Sequence, residues 1–486
     1  MHLHATMDQT DYYTQEEAQI IARVMCFHSM KEDTKRSFVQ TYSLNKGLKK
    51  FGQKGKDGAY KEMNQLHNRI VFEPVMLQDL NQEEIDKAME SLIFLAEKRD
   101  GTIKGRMCAN GSTQREYIPK EAASSPTVAK ESVLITGVVE AKQRRDVMTL
   151  DIPNAFVQTD VPDKDGEKII MKIRGSLVDI LLEIDEEKYK DFIIYRGKEK
   201  LLYVKMLKAL YGMLMASILY YKKFRRDIEA IGYKVNPYDI CVANKMINGK
   251  QHTLTWHVDD VKASHVDPEV NSRFAKWAED TYGSDELGHV KVTRGKKHDY
   301  LGMILDYNLD GKLKVDMVYY IENMVEEFPE VLNGKGKAPW NDSLFKVNEK
   351  SPILDSEKAE LLHSFVMKGM FLVKRARPDL EPGFAFLSTR VKCSTEEDWS
   401  KLVKIMNFVK VTKNDILTLE ADDTGNLYWH LDAAFAVHQD MKGYTGAIFS
   451  LGCGGIDNGL MNQKINSRSS IEAKLVRVDD KISKIV

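Results

Sequence analysis

Two adjacent acids, Asp259 and Asp260, stand inside the apolar run LTWHVDDVKASH at residues 254–265. Neighbouring carboxylates repel, and burying them unpaired is costly, so either solvent or a cation must accompany them. The acidic tip of a β-hairpin would answer the pattern structurally. A divalent cation would answer it chemically, because Mg2+ takes oxygen ligands and is held by one or two carboxylates plus substrate phosphates. A third acid, Asp151, closes the strand-like stretch in VMTLDIPNAF just before Pro153, 108 positions ahead of Asp259. One acid at a strand end and two at a hairpin tip on a neighbouring strand could converge on a pair of metal ions. Such a pair activates an attacking oxygen and stabilises a leaving one in phosphoryl transfer. The other Asp-Asp pairs differ: Asp422–Asp423 sits in the turn EADDTGN, and Asp479–Asp480 in a terminal helical pattern.

The chemistry needs a scaffold. At 486 residues the chain is too long for one core, and about three domains is the expectation. A hydrophobic content of 43% with 29% charged residues is ordinary for a soluble globular protein. The five scattered cysteines form no Cys-x-x-Cys pair, so free thiols in a reducing interior are expected rather than a disulfide framework or zinc knuckle. The start lacks a basic-then-apolar leader, and no apolar run is long enough to span a bilayer, which suits a soluble intracellular protein. A net charge of −1 leaves phosphate binding to local basic surface. Lys46, Lys49, Lys50, Lys54 and Lys56 form one such run, and Lys222, Lys223, Arg225 and Arg226 another; either also reads as a solvated face.

Residues 1–75 read as helix with polar loops, and QEEIDKAMESLIFLAEKRDG as an amphipathic helix closed by Gly101. From TIKGRMCANG onward, strands alternate with helices. KGRMCAN, DVMTLDI, KIIMKI, LLYVKML, HTLTWHVDDVKA and HDYLGMILDYN are strand candidates. PTVAKESVLITGVVEAKQ and YGMLMASILYYKKFRRDIEAIG are helix candidates, so the class is α+β rather than a regular βαβ series. Residues 313–425 are mainly helical by period, and a β-rich segment begins near residue 426.

LDIPNAF resembles the first catalytic motif of copia-type retrotransposon reverse transcriptases, HVDD resembles their Tyr-Val-Asp-Asp box, and KALYGMLMASILYYKKF their Leu-Tyr-Gly segment. The three stand in the family's order. TIKGRMCANGSTQREYIP resembles the family's fingers strand-turn and YLGMILDYNLDGKL its hairpin between palm and thumb, so the resemblance spans roughly residues 70–486. It implies a right-hand polymerase fold of fingers, palm and thumb, followed by a helical connection and a truncated ribonuclease H-like α/β domain. It makes Asp151, Asp259 and Asp260 the catalytic, metal-binding set, with the backbone carbonyl of Ile152 as a further ligand. It places Phe156 where an aromatic excludes a 2′-hydroxyl, though a core aromatic looks the same. Lys104 and Arg106 become candidates for a triphosphate clamp. Gly212 becomes a site of close backbone approach to the template–nucleotide pair, as a helix-start glycine also would. Two departures bear on activity. His257 replaces the family's Tyr, and Met215 and Ser217 replace its Gln and Pro.

WHLDAAFAVHQDMKGYTGAIFSLGCGGIDNGLMNQKINSRSSIEAKLV resembles the start of the family's ribonuclease H domain, with Asp432 and Glu472 at two of its metal-binding acids. Ser469-Ser470-Ile471-Glu472 is also a capping box, in which that carboxylate bonds the helix start. The family's next acid stands beyond Val486, so this part is expected to be inactive as written.

The resemblance thus implies an RNA-directed DNA polymerase using two Mg2+ ions (Mn2+ as substitute), dNTPs, an RNA template and a DNA primer. Its partners would include the other Pol polyprotein parts, integrase and protease, and no membrane. Its location would be cytoplasmic, in virus-like particles, or nuclear. Expected segments are an extension over 1–75, fingers and palm over 76–312, thumb-like helices over 313–345, a helical connection over 346–425 and a partial ribonuclease H over 426–486. The alternative is a non-catalytic nucleic-acid-binding remnant of a decayed element. A metal-dependent nuclease on the same carboxylates is a weaker third.

Overall fold

Runs of β-branched and aromatic residues become strands here, and runs with apolar spacings of three and four become helices. The computed structural model describes residues 41–97, 101–119, 123–162, 168–285, 288–436 and 441–485. Residues 1–40 of the expected N-terminal extension lie outside them. The chain forms two units that interleave in sequence. One takes the residues up to Thr127, Asp151–Lys234 and Lys276–Lys291; the other takes Val128–Leu150, Val235–Ala275 and Val292 onward.

The first unit is built on a seven-stranded sheet. Its main path runs Thr41–Ser43, Met89–Glu97, Ile170–Arg174, Glu199–Met206 and Phe72–Val75, with Ile103–Asn110 paired to the second of these and Ile194–Arg196 to the fourth. Helices Gln53–Asn68 and Ser176–Ile184 contribute Met63, Leu66, Val178 and Leu181 to a core shared with Met107, Met171, Leu202 and Val204. The expected helix over 82–101 is not formed. A short helix, Gln82–Asp86, starts on an Asn81–Glu84 capping box, and Met89–Glu97 is a strand. The strand pairs with Ile103–Asn110 along one edge and with Thr41–Ser43 and Ile170–Arg174 along the other, and its stretch Ile93-Phe94-Leu95-Ala96 is buried on both faces of the sheet. A strand covered on both faces loses the alternation that would have marked it. Cys108 is buried on the neighbouring strand, and Cys241, Cys393 and Cys453 are free.

The second unit holds most of a six-stranded sheet in the order Lys291–Arg294, Asp146–Asp151, Asp260–His265, Lys250–His257, Val242–Ile247, Lys234–Val235. Helix Lys130–Lys142 buries Val133, Leu134, Gly137, Val138 and Ala141. Three strands of a five-stranded sheet follow, then helices Val318–Glu326, Ser356–Val373, Glu381–Ser388 and Glu396–Val411, after which Leu417–Ala421 and Gly452–Cys453 complete that sheet. In the expected thumb-like region only Val318–Glu326 is helical. Strand Lys312–Asp316 precedes it, and irregular chain follows, where Pro329, Gly334, Gly336 and Pro339 break any period. Strands Tyr428–Ala434, Tyr444–Ser450 and Asp457–Asn462 form a separate antiparallel sheet, followed by helix Ser470–Ile485. Among the described residues no helix is long and apolar enough to cross a membrane.

Candidate active site

The run LTWHVDDVKASH folds as a hairpin. Strands Lys250–His257 and Asp260–His265 pair with His257 opposite Asp260, Trp256 opposite Val261 and Thr255 opposite Lys262. Val258 and Asp259 are left as a two-residue turn. Val258 has φ +60° while Asp259 is not left-handed, the pattern of a type II′ turn. A β-branched residue there costs about 1–2 kcal/mol, which the paired strands must supply. All three acids are half-buried: Asp259 in the turn, Asp260 opening its strand, and Asp151 ending another.

The strand Asp146–Asp151 lies beside Asp260–His265 in the sheet. Arg145, the residue before it, donates from Nη1 to Thr253 Oγ1 at 3.0 Å and Ser264 Oγ at 3.5 Å, both at the open end of the hairpin. The strand therefore runs from that open end towards the turn. Apolar side chains at Val147, Met148 and Leu150 bury it, and Ile152 beyond it is 1% exposed. Among the described residues, no three His, Cys, Asp or Glu side chains are gathered into a group that would by itself hold a metal. Carboxylates are hard oxygen donors, the ligand type a divalent cation such as Mg2+ takes.

Behind the turn lies a buried polar seam. Glu140 and Lys262 form an ion pair with side chains each 1% exposed. Tyr307 donates to the other Glu140 oxygen at 2.6 Å, and Lys262 reaches Thr136 Oγ1 at 3.2 Å. Burial opposes the charge on Glu140, yet Lys262 and the hydroxyls around it hold its carboxyl below the usual range. The sequence reading missed this pair. Its one signal is a charged residue amid the buried positions of GVVEA.

The expected nucleotide-binding residues all lie in the first unit. Lys104 and Arg106 sit two apart on strand Ile103–Asn110, hence on one face. Arg106 donates to Asn154 Oδ1 at 3.3 Å, and its guanidinium lies 5.6 Å from the Tyr211 ring centroid. Phe156 packs at 4.6 Å from Tyr211 and 6.3 Å from Tyr220. Arg106, Asn154, Phe156 and Tyr211 are thus brought together, and Asn154 and Tyr211 were not anticipated. Phe156 is half-buried, a core contact that keeps an accessible edge.

Gly212 has φ +91°, and a Cβ on it would lie 2.0 Å from the Ala109 carbonyl oxygen. Ala109 N–H donates to the Tyr211 carbonyl at 2.8 Å, and Leu214 N–H to Gln114 Oε1 at 2.8 Å. The Leu-Tyr-Gly segment is therefore built onto the end of strand Ile103–Asn110, and the glycine is required by the chain's own backbone. Met215 is the half-buried residue that precedes helix Ala216–Ala230. Within that helix Lys223 pairs with Asp227 at 2.7 Å, Arg225 with Glu229 at 3.0 Å and Arg226 with Asp227 at 3.6 Å, so three of the four residues of this basic run are partnered along the helix.

Asp432 is exposed on strand Tyr428–Ala434, with Arg477 Nη1 at 3.4 Å. The Glu472 carboxylate accepts the Arg468 N–H, and Glu472 N–H donates to Ser469 Oγ at 3.1 Å. The helix start therefore engages this carboxylate.

No family model matches the chain. It is similar to the retrovirus-related Pol polyprotein from transposon TNT 1-94 of Nicotiana tabacum, 24% identical over 394 residues, covering 78% of this chain and 27% of that protein. It is similar also to the truncated transposon Ty1-A Gag-Pol polyprotein of Saccharomyces cerevisiae, 22% identical over 358 residues, covering 72% of this chain and 27% of that one. The chain spans about a quarter of the length of these curated relatives. A solved structure of the foamy viral protease-reverse transcriptase dRH in complex with ds DNA shares the fold with a TM-score of 0.50 at 14% identity, covering 89% of this chain and 61% of that one. The mixed α/β fold thus has a reverse transcriptase as its structural neighbour. The chain's relatives are Pol polyproteins of copia-type transposons, as the motifs indicated.

Proposed function

We propose that this chain is the polymerase part of a copia-type Pol polyprotein, extending a DNA primer on an RNA template. The observation that carries the reading is the strand pairing: the strand ending at Asp151 lies beside the one opening at Asp260, in a chain whose relatives are transposon Pol polyproteins. The six-stranded sheet serves as palm, the seven-stranded sheet as fingers, and Val318–Glu326 contributes to a thumb. Asp151, Asp259 and Asp260, with the Ile152 carbonyl, would hold two Mg2+ ions, or Mn2+ in their place. When bound, these supply charge neutralisation for the attacking and leaving oxygens.

The chain's own residues bind and orient. Arg106 and Lys104 offer cations to the dNTP phosphates. Phe156, backed by Tyr211 and Tyr220, fixes a flat wall against the sugar. A primer 3′-hydroxyl then attacks the α-phosphorus, a phosphodiester forms, and pyrophosphate leaves. Exposed lysines at 46, 49 and 54 suit phosphate contacts that weaken with salt. The test is extension of oligo(dT) on poly(rA) with dTTP in Mg2+ or Mn2+. Product growth supports the reading; hybrid binding without any extension would establish the non-catalytic remnant instead.

A further inference from the structure

Asp260 and Lys262 lie two residues apart on one strand, so both side chains leave the same face, roughly 7 Å apart along the strand. That face is unusual for an interior. Opposite Lys262 stands Thr255, and Thr253 and Ser264 form the next pair; all four are 4% exposed or less. A charged lysine there needs a partner, and helix Lys130–Lys142 delivers one in Glu140. Both Glu140 oxygens are used, one by Lys262 and one by the Tyr307 hydroxyl, and Thr136 takes a further Lys262 hydrogen bond. A second fastening holds the hairpin backbone: the buried Tyr300 hydroxyl lies 3.3 Å from the main-chain carbonyl oxygens of both Asp260 and Thr255. The turn beyond is strained at Val258 and has no glycine to relax into.

We infer that the buried Glu140–Lys262 pair is a positioning device for the Asp259–Asp260 turn. It pins the strand to helix Lys130–Lys142 so that the strained turn presents its acids in one pose. Neither residue touches substrate; both act through Asp260. The inference rests on the proposed role of these acids. A directional pair does what an apolar contact would not, because a lysine and a carboxylate fix the strand's register and height against the helix, whereas methylenes slide.

The test uses the full chain. Exchanging Glu140→Met together with Lys262→Met removes both charges at similar volume, a change that leaves folds intact where single removals strand a buried charge. Tyr307→Phe removes only one hydroxyl from Glu140. Asp423→Asn, at the exposed partner of Lys142 on the same helix, is the control. Four quantities are read: thermal unfolding, hybrid affinity, amide hydrogen exchange at residues 259–262, and the Mg2+ concentration for half-maximal primer extension. In the double variant, unfolding and hybrid affinity stay near wild type, while exchange in the turn and the half-saturating Mg2+ each rise about tenfold. Tyr307→Phe moves both in the same direction by less, and the control moves neither. A folded double variant with wild-type turn exchange overturns the inference. Should the double variant fail to fold, unchanged exchange in Tyr307→Phe overturns it equally. If the wild type extends no primer, the polymerase reading falls, and the exchange comparison still decides whether the pair positions the turn.

Discussion

Gly212 stands so close to Ala109 that a single added methyl would sit 2.0 Å from the Ala109 carbonyl oxygen. The left-handed φ of +91° compounds the problem. Gly212→Ala should therefore destabilise the first unit by about 2–5 kcal/mol, combining backbone strain with overpacking. Chemical denaturation measures this. A loss below 1 kcal/mol, on the order of an ordinary surface change, would mean that the segment has room the packing denies.

Val258 bears the strain of the acid turn. Asn tolerates the left-handed region and loses little apolar contact at a half-buried site. Val258→Asn should raise stability by about 1 kcal/mol. A decrease in thermal midpoint would show that the valine side chain packs more than it strains.

His252 is buried, with its Nε2 2.9 Å from Asn271 Oδ1, and burial pushes its pKa down from 6.5 to about 4. Between those values the unfolded chain takes up a proton that the folded one refuses. Stability is therefore complete above pH 6.5 and declines as pH falls towards 4, by on the order of 3 kcal/mol from this residue. His298, also buried and also shifted down, adds to the same slope. His252→Gln should flatten the acid limb of a stability–pH curve, and an unchanged slope would remove His252 as its cause.

Glu472 closes the start of helix Ser470–Ile485. Glu472→Gln keeps an acceptor and should leave the helix intact, whereas Glu472→Ala should weaken it by about 1 kcal/mol. Hydrogen exchange at residues 473–476 separates the two. Equal protection in both variants would show the carboxylate to be free of that duty.

How far the sequence revealed these arrangements depends on where the partners stand. The hairpin was legible because strand-forming residues flank the two acids, although its two-residue turn falls at Val258–Asp259, one position before the expected acidic tip, and the end of the strand at Asp151 was legible because Pro153 follows it. Helix Lys130–Lys142 lies within the helix candidate PTVAKESVLITGVVEAKQ, although its apolar residues are spread round it with almost no one-sided spacing. Met89–Glu97 was not legible as a strand, since burial on both faces erases the period of two. The contact that demands Gly212 lies on a strand distant in sequence, so its reason was invisible until Ala109 was placed beside it. Glu140 and Lys262, 122 residues apart, each look like a misplaced charge, and only the fold makes them a pair.

The most direct measurement of the central claim compares wild type with Asp151→Asn and Asp259→Ala in Mg2+-dependent primer extension, alongside hybrid binding. These substitutions remove a charge without cutting into the core. The account predicts that each lowers extension by at least about a thousandfold while hybrid affinity stays within a few-fold of wild type. Extension that survives either change at near wild-type rate would contradict it.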